Sequence, residues 1–247
     1  MSLVETDWLK NNISSVKIID CSWHMPQTKR KGSEEYKNQH IPNSIFFDLD
    51  ANSKKEINLP HMLVNQNDWE QIVSKMGIKN EDEIVIYDNS DVISACRCWF
   101  NFIYFGHNPK LVHVLNGGLK KWIKEKNKVT NNITNIQPSN YKSFEKKELV
   151  KNKKSIDQNI NEQKFKVIDA RSKERFEGKV QEPRKGLRSG SIKNSFCVPF
   201  NQCLNEDKTF KSKEDLKLIF KTCLENINGK NIVFSCGSGV TACVLAL

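Results

Sequence analysis

The segment Ser235-Cys236-Gly237-Ser238-Gly239-Val240-Thr241-Ala242 brings a thiol, hydroxyls and two glycines into one short turn. It follows the β-branched run Asn231-Ile232-Val233-Phe234 and leads into an apolar stretch with helical character, so it reads as a strand-to-helix connection. Two glycines within three residues let the main chain curl until successive amide N–H groups point inward. The following helix is expected to add its positive N-terminal end. Such a cradle favours an anion at its centre, and Cys236 stands there. Because the thiolate is the nucleophilic form of cysteine, the predicted chemistry is covalent catalysis through sulfur. The plainer alternative, a cysteine capping a strand beside a glycine turn, leaves the loop composition unexplained.

The other cysteines carry no such setting. Cys21, Cys197 and Cys243 lie in or beside apolar runs, where a free thiol behaves as a small hydrophobe. Cys96 and Cys98 are two apart on a predicted helix and face different directions. There is no CxxC pair and no His at zinc-ligand spacing, so no metal is expected, and reduced thiols suit a cytoplasmic location. Arginine is rare: Arg30, Arg97, Arg171, Arg175, Arg184 and Arg188 are the only six among 39 basic residues. The net charge of +10 is therefore carried by scattered Lys, which reads as a solvated surface rather than a nucleic-acid face. No apolar run approaches a membrane span, and Met1 to Trp8 lacks the basic start and apolar run of a secretory leader.

The elements that must position the thiol are written twice. Val16-Lys17-Ile18-Ile19-Asp20 matches Phe165-Lys166-Val167-Ile168-Asp169. His40 to Phe47 matches Ser191 to Val198, and Glu83 to Asp88 matches Asn231 to Cys236. The offsets are 149, 151 and 148 residues, which argues for duplication. The runs are short, β-branched and continuous, as in parallel strands buried on both faces. Helical patterns lie between them, for example Asp68 to Met76, Ala95 to Phe105 and Lys213 to Phe220. The expected organisation is α/β: a first domain over 1–127, a polar linker over 128–142, and a second domain over 143–247. After Asp88 the first half continues through a helix, the strand Leu111 to Leu115 and a further helix, whereas the second half stops soon after Cys236. The repeat thus predicts a C-terminally incomplete second domain.

With these residues in place, Cys-Gly-Ser-Gly-Val-Thr resembles the active-site loop of the 3-mercaptopyruvate sulfurtransferases, in the two-domain rhodanese superfamily. The resemblance runs through nearly the whole chain. It implies two tandem rhodanese-like domains, the first non-catalytic with Asp88 in the nucleophile's place. It also implies transfer of sulfur from 3-mercaptopyruvate through a Cys236 persulfide to a thiol, cyanide or thioredoxin-like acceptor, with no organic cofactor. By the same match Gly237, Gly239, Val240 and Thr241 belong to the donor-binding loop. Arg175 and Arg184 hold the donor's carboxylate and keto oxygen, a task suited to the planar guanidinium. Asp50 orients His61, and His61 bonds Ser238 in a Ser-His-Asp arrangement where serine is not the nucleophile. His24, His40, His107 and His113 are read as structural. The chain departs from the family at Ser191, where His is frequent, and at Val64, where Pro is.

Three rivals are weighed. Thiosulfate could be the donor, although Gly237 and Ser238 stand where thiosulfate enzymes place cations. A non-catalytic sulfur-relay or interaction module is the second. A cysteine phosphatase is excluded, because Ala242 occupies the position of its phosphate-clamping Arg.

Overall fold

The computed structural model describes residues 2–56, 59–225 and 231–247. In the first half the order is β1 (Leu3–Val4), α1 (Thr6–Asn12), β2 (Lys17–Asp20), α2 (Gly32–Asn38), β3 (Ser44–Phe46), α3 (Gln66–Lys75), β4 (Ile84–Tyr87), α4 (Ala95–Tyr104), β5 (Val112–Leu115) and α5 (Gly118–Lys124). The second half holds α6 (Lys153–Glu162), β6 (Phe165–Asp169), α7 (Lys173–Phe176), β7 (Phe196–Cys197), α8 (Lys213–Leu224), β8 (Asn231–Ser235) and α9 (Ala242–Ala246).

Both sheets are parallel. The first has the order β1-β5-β4-β2-β3, and the second, among the described residues, β7-β6-β8. The repeat is visible in the register: Asp20 lies opposite Tyr87 as Asp169 lies opposite Ser235. β6, β7 and β8 are therefore counterparts of β2, β3 and β4. The continuous apolar runs are explained by burial on two faces. Ile19, Ile84 and Ile86 join one apolar cluster, while their neighbours Ile18 and Val85 join another on the opposite face.

The first cluster does not stop at the first domain. Val240, Cys243 and Val244 pack into it with Cys96, Trp99 and Phe102, so α9 docks on α4 through apolar surface. This interface fixes the Cys236 loop against the first half.

Residues 128–142 form an extended strap rather than a free tether. Thr130 pairs antiparallel with His40, Thr134 donates to the Ser44 carbonyl at 2.8 Å, and the Ser139 amide donates to the Ser74 carbonyl at 2.9 Å. Tyr141 is 1% exposed and its hydroxyl meets His107 Nδ1 at 3.0 Å. The strap continues past 142, where the Phe144 and Lys146 amides donate to the Phe105 and Tyr104 carbonyls. Its polar composition hid this, because most of its bonds use main chain.

Candidate active site

Cys236 follows β8 at the C-terminal end of the second sheet, the edge where open α/β sheets bind ligands. The Gly239 N–H donates to its Sγ at 3.1 Å. The expected helix end plays less part: α9 spans five residues and begins at Ala242, well beyond the sulfur. Loop curvature supplies the donor instead. Gly239 has φ +74, a left-handed value that favours glycine. In the first domain Asp88 holds the equivalent place, and its own carboxylate fills the turn, accepting the Ser90 and Ala95 amides at 2.8 and 2.7 Å. Burial pushes that carboxyl up to about 7.

Partial exposure sets Cys236 and Cys197 apart from the other thiols. Six of the eight cysteines are buried; only Cys197 and Cys236 are partly accessible. Burial pushes Cys197, Cys203 and Cys243 up to about 11 and raises Cys21, Cys96 and Cys223. These groups stay protonated at neutral pH and are poor nucleophiles.

Two arginines of the second half reach the loop. Arg184 donates from Nη2 to the Gly237 carbonyl at 2.5 Å. Arg175, on α7, is held by Glu182 through Nε and Nη2 at 3.0 and 2.6 Å. A Cβ on Gly237 would come within 3.2 Å of Arg175 Nη2, so the guanidinium lies against the loop. Glu182 also binds Arg171 Nη1 at 2.9 Å, and Arg171 Nη2 reaches Asp169 at 2.6 Å. Arg175 first, then burial and Arg171, set the balance that keeps the Glu182 carboxyl below its usual value. Arg175 is thus positioned by a carboxylate at the back of its fork.

The first domain contributes the other wall. His61 Nε2 meets Asp50 Oδ1 at 2.9 Å, and Trp23 Nε1 donates to Asp50 Oδ2 at 2.9 Å. The Trp23 and His61 rings meet edge to face at 4.7 Å. The bond to His61, with burial opposing and Trp23 assisting, holds the Asp50 carboxyl below its ordinary value. His61 is 5% exposed and has φ +56, a conformation that costs a non-glycine residue about 1–2 kcal/mol.

Ser238 makes no hydrogen bond to His61, so the third link of the arrangement implied by the resemblance is not formed in this structure. His61 Nδ1 is instead buried without a partner. Val240 is buried in the inter-domain cluster, and Thr241 precedes α9 as its N-cap residue. The Val240 side chain therefore anchors the loop from behind.

Sequence reasoning passed over Trp23, Arg171, Glu182 and Arg97, which touch this constellation. The scarcity of arginine was the available signal for two of them. Scarcity marks Arg97 and Arg171 as much as it marks Arg175 and Arg184.

The Rhodanese-like domain family matches residues 5–125 and 152–247. The chain is 37% identical to thiosulfate/3-mercaptopyruvate sulfurtransferase 1, mitochondrial, of Arabidopsis thaliana, over 99% of this chain and 70% of that protein. It is 32% identical to the 3-mercaptopyruvate sulfurtransferase of Mus musculus, over 100% of this chain and 84% of that one. The crystal structure of SseA from Escherichia coli, described with the rhodanese fold and catalytic mechanism of 3-mercaptopyruvate sulfotransferases, superposes with a TM-score of 0.89. Its identity is 30%, covering 100% of this chain and 92% of that chain. Two matched halves, two parallel sheets and a cysteine loop at the end of β8 lead to one conclusion: this chain is a tandem-domain member of the rhodanese family.

Proposed function

We propose that the chain is a sulfurtransferase that takes sulfur from 3-mercaptopyruvate onto Cys236 and passes it to a thiol or cyanide. The observation that carries this reading is the Cys236 sulfur at the sheet edge, accepting the Gly239 N–H and flanked by Arg175 and Arg184. The thiolate attacks the donor's sulfur, the C–S bond breaks with its electron pair going to carbon, and pyruvate enolate leaves. A Cys236 persulfide remains, and protonation of the enolate gives pyruvate. An acceptor thiolate or cyanide then attacks the outer sulfur and restores the Cys236 thiolate.

The arginines suit an α-keto carboxylate, since a fork binds such oxygens with directed, charge-assisted bonds. Negative charge grows on the keto oxygen as carbon leaves. With Nε2 on Asp50, a doubly protonated His61 would donate its Nδ1–H to the Ser238 oxygen, leaving the serine proton to point toward that charge. A small reduced thioredoxin-like protein is the physiological acceptor we favour, and eight free thiols favour the cytoplasm as a reducing compartment.

Mercaptopyruvate and thiosulfate should be supplied separately to the purified protein, with persulfide followed by intact mass and pyruvate by its release. Faster turnover with mercaptopyruvate is expected. A preference for thiosulfate would reassign the donor, and no sulfur on Cys236 from either would leave a non-catalytic relay module.

A further inference from the structure

Arg97 is 7% exposed and lies in the first turn of α4, in the domain that has no nucleophile. It takes part in none of the ion pairs found among the described residues, and its Nε has no hydrogen-bond partner. Burying a cation without a counter-charge is strongly unfavourable, and the positive end of its own helix adds to the cost. A residue retained on such terms calls for a physical reason.

The two ends of its guanidinium supply one. Nη2 donates to the His61 carbonyl at 2.5 Å, and Nη1 donates to the Gly239 carbonyl at 3.2 Å. Both acceptors sit on left-handed residues, with φ of +56 and +74. They belong to different domains, and each holds one working part of the site. His61 bonds Asp50, and Gly239 presents its N–H to Cys236. A side chain at Gly239 would bring its Cβ to 2.8 Å from Nη1, so the loop leaves this room to the guanidinium.

We propose that Arg97 is a positioning residue: one planar fork clamps the His61 segment to the Cys236 loop and sets their separation. Its catalytic consequence rests on the sulfur-transfer reading above; the clamp itself rests on geometry alone. An ammonium group at this position would keep the charge but could not span both carbonyls in one plane.

The test compares Arg97→Lys, Arg97→Gln and Arg97→Ala with the parent chain, with folding followed by circular dichroism and thermal unfolding. In folded variants, kcat for pyruvate release should fall at least about tenfold while KM for mercaptopyruvate stays within about threefold, because the donor's own arginines are untouched. Added guanidinium should restore part of kcat to Arg97→Ala. Amide hydrogen exchange should accelerate at least about tenfold in both residues 59–64 and residues 236–241, with β2 and β6 unchanged. The proposal is overturned by a folded variant with parental kcat, by a loss confined to KM, or by exchange that rises in one segment or neither. It is also overturned if all three variants fail to fold, since Arg97 would then serve folding. If the parent releases no pyruvate, exchange decides: loosening of both segments keeps the clamp while the sulfur-transfer reading falls.

Discussion

The sulfur at the end of β8 accepts the Gly239 N–H beside two arginines, so the residue scale admits sharp tests. Cys236→Ser should abolish persulfide formation, whereas Cys96→Ser and Cys98→Ser, both buried in α4, should leave it intact. Sulfane sulfur on the Cys236→Ser protein, seen by intact mass, would move the nucleophile elsewhere. Arg175→Lys and Arg184→Lys keep a charge but lose the fork, and each should cost about 1.5–3 kcal/mol in kcat/KM with mercaptopyruvate. Arg175→Lys also deprives Glu182 of a bidentate partner, so its loss should be the larger. Parental kinetics in both would make the pair surface ion-pair residues. The Cys236 loop was legible in the sequence as a strand-to-helix turn, because its two glycines follow a β-branched run. Trp23 was not, since its indole reaches Asp50 only through the fold.

At the scale of elements, the two strand-to-helix turns are one design with two occupants. The Cys236 loop leaves its centre to a sulfur, while the Asp88 turn is filled by a carboxylate buried among amides. That carboxyl titrates at about 7 against an ordinary 3.8, because burial penalises its charge. A folded value above the unfolded one means that its stabilising share is full below the unfolded value and vanishes as pH rises through about 7. Melting temperature should therefore fall from about pH 5 to about pH 8, and less steeply in Asp88→Asn. Equal slopes would show that Asp88 does not govern this range. In the other turn, Gly237→Arg with Ser238→Lys adds charge for thiosulfate. It also drives a side chain against Arg175 Nη2 and removes the Ser238 hydroxyl. The ratio of kcat/KM for the two donors should move toward thiosulfate, and an unchanged ratio would place donor choice outside the loop. Strands and long helices such as α3, α4 and α8 were legible from β-branched runs and helical spacing. Short elements such as β1 and α7 were not, because so few residues carry no period.

At the scale of the whole molecule, the site exists only where two halves meet. The first brings His61, Asp50 and Trp23; the second brings Cys236 and its arginines; α4 and α9 share one apolar cluster between them. Duplication was legible from three matched segments at nearly one spacing, but which faces meet depends on packing that no local pattern encodes. The strap was equally hidden, since its bonds are mainly main-chain. Tyr141 nevertheless behaves as a core residue, stacked on His107 at 5.8 Å between ring centres. Tyr141→Ala should cost about 3–5 kcal/mol in urea unfolding, on the scale of a large buried aromatic. A cost below about 1 kcal/mol would return this stretch to the status of a tether.

The strap also sets a timetable. The chain is made from its N-terminus, and the groove between His107 and α3 has no side chain to fill it when residue 127 emerges. Tyr141 and the main chain through Lys146 arrive later, about 1–4 s behind at ordinary rates of synthesis. For that interval the first half lacks the ring that stacks on His107 and the main-chain bonds to Phe105 and Tyr104, and Cys236 is made later still.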